Sequence, residues 1–191
     1  MVADGLIYVQ PFTAAAATDV TQTGGKGATL ARLFQAGLPV PPGCIVTTPA
    51  LAAYLDRHGR HALSTPEDIR QMVLAGEPPD AMREDLQAGL RQLNPAPSGW
   101  AVRSSAVAED SASASFAGVY ESFLEVQEHD LWPSIQACWA SWWSAPALAY
   151  RQRLGDAPLP TWPWWSRPWC QRAVPVLPSP SNHCTATARA W

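Results

Sequence analysis

Arg103, Ser104 and Ser105 close a short strand-like run that begins Trp100-Ala101-Val102. Small polar residues continue to Ser115, broken by one acidic pair, Glu109-Asp110. Ser115-Phe116-Ala117-Gly118 then leads into a second run of alternating character, Val119 to Val126. A cation, hydroxyls and a small-residue turn between two strands can surround a polyphosphate. Arginine supplies a planar fork of donors to phosphate oxygens. Gly and Ser let backbone N–H groups come close to an anion. A second candidate lies upstream, where Gly24-Gly25-Lys26-Gly27 precedes Leu30, Leu33 and Phe34 at helical spacing. The N–H groups at such a helix start could point at an anion. The loop is not a Walker A motif, because Val20 stands where that motif needs its first glycine. On local physics alone, a flexible turn with a solvated lysine is the more economical reading of Lys26.

The elements that must position these residues follow from pattern. Leu6 to Phe12 predicts a first strand, Thr21 to Gly27 a polar loop, and Ala28 to Ala36 a helix closed by Gly37 as its C′ residue. Cys44 to Thr47 predicts a short buried strand. Thr48-Pro49 reads as an N-cap followed by proline, opening a helix to about Arg57 with Leu51, Tyr54 and Leu55 facing in. Thr65-Pro66 repeats the signal for a helix to about Leu74. Asp80 to Leu93 carries Met82, Leu86, Leu90 and Leu93 on one helical face. Leu131 to Trp143 predicts a helix with Pro133 in its first turn and Ile135, Trp139 and Trp142 on one side. A last helix spans about Ala147 to Leu154. An aromatic stripe at this spacing is ordinarily core.

Composition excludes several classes. The chain has 191 residues, 47% of them hydrophobic, and a net charge of −3. That is enough apolar content for one core, and too little positive charge for nucleic acid or an anionic membrane. No run approaches the roughly 18 apolar residues of a membrane span, and the N-terminus lacks the regions of a signal peptide. A cytoplasmic protein is the expectation. Cys44, Cys138, Cys170 and Cys184 form no C-x-x-C pair, and the first two read as buried free thiols. His58 and His61 make an H-x-x-H with no third ligand nearby, so no metal site is expected.

The central stretch resembles the nucleotide-binding domain of the enzymes that use phosphoenolpyruvate and pyruvate: phosphoenolpyruvate synthase, pyruvate phosphate dikinase and the rifamycin phosphotransferases. Their motif reads roughly RSSATAEDLPDASFAGQ. Arg103-Ser104-Ser105-Ala106, Ala108-Glu109-Asp110 and Ala114-Ser115-Phe116-Ala117-Gly118 match it as they stand. The opening is similar too: Gly24-Gly25-Lys26 to Leu30, then Gly37-Leu38-Pro39-Val40-Pro41-Pro42-Gly43. So is Cys138-Trp139-Ala140-Ser141 followed by Ala149-Tyr150-Arg151. The resemblance implies an α/β (α+β) fold, the N-terminal lobe of an ATP-grasp domain, covering residues 1–157. It implies ATP as ligand, with Lys26 and Arg103 on the phosphates, and Ser115, Ala117 and Gly118 closing over them through backbone N–H and hydroxyl. Ser122 keeps the hydroxyl of a usual threonine, whereas Val107 and Val119 replace a usual threonine and glutamine. Glu109 and Asp110 are expected to be structural, since two carboxylates beside a triphosphate repel it unless a cation intervenes.

In the family, a second lobe supplies the ligands for Mg²⁺ and the adenine pocket, and a mobile domain carries the histidine that accepts the phosphoryl group. Neither has room here, and His58, His61, His129 and His183 match no such motif. No catalytic residue is therefore assigned. The leading expectation is a truncated ATP-dependent dikinase or phosphotransferase, inactive alone. The alternatives are a stand-alone nucleotide-binding subunit, whose separate partner carries the missing lobe and the phosphohistidine domain, and a non-catalytic scaffold.

Residues 158–191 change character. They hold Trp162, Trp164, Trp165, Trp169 and Trp191, scattered prolines and no acidic residue. One reading is a Trp/Pro-rich interaction tail. The favoured expectation is a slipped reading frame and a disordered product. Tryptophan has a single codon, so Trp162-Pro163-Trp164-Trp165 read one nucleotide earlier becomes an apolar run, which suits the strand the family has after its two helices.

Overall fold

The computed structural model describes residues 7–93, 99–106, 122–153 and 172–178. Their short apolar runs form strands β1 (Val9–Pro11), β2 (Cys44–Val46), β3 (Trp100–Arg103), β4 (Ser105–Ala106), β5 (Ser122–Val126) and β6 (Arg172–Pro178). The helices are α1 (Val20–Gln35), α2 (Thr48–Arg57), α3 (Pro66–Ala75), α4 (Asp80–Arg91), α5 (Leu131–Ala140) and α6 (Ala145–Arg153). The strands pair in the order β1-β2-β6-β3-β5, with β4 also on β6, and every pairing is antiparallel. The fold is α+β.

Strand alternation divides the core in two. On one face, Val9, Cys44, Val46, Trp100, Val102, Val126 and Val176 pack against α2, α3, α4 and α5, which contribute Leu51, Tyr54, Val73, Leu86, Ile135 and Trp139. On the other, Ile45, Ala101 and Leu177 meet Ala31 of α1 together with Phe12 and Ala17. The sheet therefore lies between the apolar face of α1 and the core formed by α2–α5, while the first turns of α1 and α2 touch directly. Each fully buried Leu, Ile or Val contributes about 1.5–3 kcal/mol of transfer free energy, so the larger face supplies most of the stability. A buried polar cluster pins α5 to α3. The two hydrogens of Gln136 Nε2 are shared among Tyr54 Oη (2.9 Å), the Val73 carbonyl (2.9 Å) and the Gly76 carbonyl (2.6 Å). Burial raises the Tyr54 phenol above its usual range, against the opposing Gln136 hydrogen bond.

Several sequence expectations shift. The first strand is shorter, Val9–Pro11. The cap of α2 is Thr47, whose Oγ1 accepts from the Ala50 N–H at 3.4 Å. Thr48 is freed to donate to the Thr21 carbonyl at 2.9 Å. Thr65 caps α3 as its sequence predicts. Gly37, at φ +74°, ends α1 in a Schellman turn: Leu38 N–H donates to Leu33 O and Gly37 N–H to Phe34 O. α5 stops at Ala140 and a 3₁₀ turn follows (Ser141–Trp143), so Trp143 is buried in the same core as Trp139, and Trp142 is only half-buried. Arg151 lies over the Trp142 ring at 4.2 Å. His58 Nε2 sits 3.0 Å from the Glu77 carbonyl oxygen.

The largest correction concerns the tail. Within the segment expected to be disordered, residues 172–178 form β6, inserted between β2 and β3. Two forces place it there. Val176 and Leu177 are buried on opposite faces, so the strand serves both cores. Without it, β2 and β3 would present unpaired edges in the middle of the sheet. Pro175 is accommodated locally. β6 pairs with β3 over residues 176–178 and with β4 over residues 172–173, and the ladder is interrupted between them, where proline lacks an N–H. The rest of residues 158–191 lies outside the described residues.

Candidate functional site

The Gly24-Gly25-Lys26-Gly27 segment is helical on both sides of one kinked residue, in place of the expected loop. Asp19 caps the first turn, its carboxylate accepting from the Thr21 N–H (2.9 Å), the Thr21 hydroxyl (2.7 Å) and Gln22 Nε2 (3.2 Å). The Thr21 hydroxyl and then its N–H hold that carboxyl below the usual range. The single Thr23 hydroxyl proton is shared between the carbonyls of Asp19 (2.7 Å) and Ala17 (2.9 Å). At Gly24 the backbone leaves the helix, with φ 70° and ψ 171°, and then re-enters it. A second helical segment thus begins immediately before Lys26, which is half-buried.

Ser105 is what this kink folds around. Its Oγ accepts from the Gly27 N–H at 2.8 Å and donates to the Thr23 carbonyl at 3.0 Å, bridging both sides of the kink. The hydroxyl is fully buried. A Cβ at Gly24 would overlap the Ser105 carbonyl oxygen and Oγ, so no larger residue fits that close approach. The upstream glycine motif and the Arg-Ser-Ser motif are therefore joined by direct hydrogen bonds across about 80 residues of sequence, as the separations of 78 and 82 show.

Arg103 ends β3 and is exposed, whereas Ser104 is buried. Strand alternation places Arg103 on the same side of the sheet as Ala101 and Ser105, the side covered by α1. Ser122 is its direct cross-strand partner on β5 and is likewise exposed. The structure thus sets Arg103 opposite Ser122, and sets the helix carrying Lys26 on the strand that follows Arg103. Ser115, Ala117 and Gly118 lie outside the described residues, as do Glu109 and Asp110. Sequence reasoning missed Ser105 as a separate contributor. The signal was present, since two adjacent serines follow the arginine, but only the fold shows that the second one reaches Gly27.

Comparison with known proteins adds to this geometry. A family described as pyruvate phosphate dikinase, AMP/ATP-binding domain, matches residues 20–157. The chain belongs to this family. Among relatives of the AMP/ATP-binding domain, an uncharacterized phosphotransferase YvkC of Bacillus subtilis is 33% identical over 134 residues, covering 70% of this chain and 16% of the relative. The prodigiosin synthesizing transferase PigC of Serratia marcescens is 37% identical over 131 residues, covering 66% and 15%. A probable phosphoenolpyruvate synthase of Methanothermobacter thermautotrophicus is 32% identical over 167 residues, covering 76% and 24%. The chain spans a quarter or less of the length of these relatives. The domain match ends at residue 157, just before the Trp/Pro-rich stretch, and both glycine and arginine motifs fall inside it.

Among the described residues, no group of three His, Cys, Asp or Glu side chains could hold a metal ion. No described helix is long and apolar enough to cross a membrane.

Proposed function

We propose that this AMP/ATP-binding domain is the ATP-holding portion of an ATP-dependent dikinase or phosphotransferase. In that reaction the phosphoryl group of ATP passes to a histidine and then to pyruvate or another acceptor. The observation that carries the reading is the Ser105 bridge, which joins the helix bearing Lys26 to the strands bearing Arg103. Two cations from separate motifs then serve one anionic ligand. Lys26 acts as a point charge and Arg103 as a bidentate donor on the phosphate oxygens. Ser122, opposite Arg103, adds a hydroxyl donor. Ser115, Ala117 and Gly118 close over the phosphates with backbone N–H groups. The chain's own contribution is electrostatic: fixed donors offset the charge of the polyphosphate before any transfer occurs. The accepting histidine and the groups that select the final acceptor belong to sequence outside this lobe, on the same polypeptide or on a partner subunit.

The test is calorimetric titration of the 191-residue chain with ATP, for the wild type, Lys26→Ala and Arg103→Ala. Each charge-assisted contact contributes about 1.5–3 kcal/mol, so each substitution is expected to weaken binding by about tenfold or more. Equal affinity in all three proteins removes the site assignment.

A further inference from the structure

We propose that Ser105 is a positioning residue for nucleotide binding: it caps the Lys26 helix from a neighbouring strand and so sets the lysine for the phosphates. The inference rests on the phosphate-site reading above. A helix beginning after Gly24 has Gly24 as its N-cap, Gly25 as N1, Lys26 as N2 and Gly27 as N3. An N-cap serine or threonine normally accepts a hydrogen bond from the N2 or N3 backbone N–H. Gly24 has no side chain to do this. Its φ of 70° and its approach to the Ser105 backbone forbid one. The missing acceptor comes from Ser105 Oγ, which takes the Gly27 N–H at 2.8 Å. The same hydroxyl gives its proton to the Thr23 carbonyl at 3.0 Å, on the far side of the kink. One buried group therefore sets both the direction in which the new helix starts and its depth on the sheet.

This arrangement has a consequence for the ligand. An ordinary cap would sit at the helix end, where a phosphate must approach. A cap supplied from β4, on the sheet side of α1, satisfies the helix from beneath. Lys26 lies one residue before the capped N–H, so its backbone cannot shift without breaking that bond. Ser105 also lies two residues after Arg103, on the same strand path, so the cap references the lysine to the arginine. Without the hydroxyl, the kink loses the bond that crosses it, and Lys26 must be ordered at the moment of binding at a cost in affinity.

The experiment is a double-mutant cycle on the 191-residue chain: wild type, Ser105→Ala, Lys26→Ala and the double variant, each titrated with ATP below its own unfolding midpoint. Ser105→Ala is expected to weaken ATP about fivefold, the shift that loss of a helix cap carries. In the Lys26→Ala background it is expected to weaken ATP less than twofold, because the side chain it positions is gone. Equal weakening in both backgrounds means a general effect on the fold and overturns the proposal. So does an unchanged affinity in Ser105→Ala when Lys26→Ala binds weakly, and in that case the phosphate-site reading survives. If Lys26→Ala alone binds as the wild type, the phosphate-site reading fails and the proposal falls with it. Should Ser105→Ala not fold, Ser105→Cys, similar in shape and a weaker acceptor, is carried through the same cycle under the same criteria.

Discussion

Replacing Gly24 with alanine probes the point where the two motifs meet. Gly24 holds φ 70° and ψ 171°, a region almost reserved for glycine, where another residue costs about 1–3 kcal/mol. The added Cβ also overlaps the Ser105 carbonyl oxygen, carbonyl carbon and Oγ. Two of those atoms are backbone, so relief requires α1 or β4 to move, at about 1–3 kcal/mol more. The sum, about 2–6 kcal/mol, is a large share of the roughly 5–15 kcal/mol of a typical domain. Gly37 provides the control. It has a similar φ of 74°, but a Cβ there meets nothing within 4 Å, so Gly37→Ala carries only a conformational cost of about 1 kcal/mol. Urea unfolding of both variants and the wild type, followed by tryptophan fluorescence, gives the comparison as midpoint shifts at constant m. Gly24→Ala is expected to lose at least about 1 kcal/mol more than Gly37→Ala. Equal losses would show that the close approach of α1 to Ser105 does not exist in solution.

Gln136→Leu keeps the size of the side chain but removes its bonds to Tyr54, Val73 and Gly76. It is expected to cost about 1–3 kcal/mol in the same urea assay, and a loss below about 0.5 kcal/mol would contradict the network. Cys44 is fully buried, and desolvation pushes its thiol up to about 12. At pH 8 the peptide containing it should remain unmodified by iodoacetamide until denaturant is added, and rapid labelling of native protein would place Cys44 elsewhere. Sequencing the coding DNA from codon 150 onward tests the origin of the Trp/Pro-rich stretch. A one-nucleotide shift is expected to open a long frame encoding the remaining family domains, whereas independent isolates that retain this tail in a single open frame would count against it.

Much of the site was legible in the chain because its chemistry is local. Arg103-Ser104-Ser105 and Gly24-Gly25-Lys26 are contiguous runs that mark candidate anion ligands, Arg103 by its side-chain type and Lys26 only through the resemblance to the family. The helices were legible for the same reason. Thr65-Pro66, Gly37 and the spacing of Met82, Leu86 and Leu90 act within one or two turns, where capping and amphipathicity operate. Thr48 was misassigned as a cap by one residue, since Thr47 and Thr48 are equivalent as local signals and only the distant Thr21 carbonyl tells them apart.

Long-range pairing was not legible. The expected loop at Thr21 to Gly27 is helical but for Gly24, because Asp19, Thr23 and Thr48 hold the turn before the kink and Ser105 holds the turn after it. The strand at residues 172–178 carries prolines that argue against a central strand by composition. It forms because the sheet offers a slot between β2 and β3, where Val176 and Leu177 each find a core. The sequence by itself determined the family and the presence of the helices, and it marked the residue types suited to an anionic ligand, since these depend on neighbours within a few positions. Only the tertiary structure decided that Ser105 caps the Lys26 helix and that β6 completes the sheet, because each depends on groups brought together from about 70 or more residues apart, by burial that no local pattern encodes.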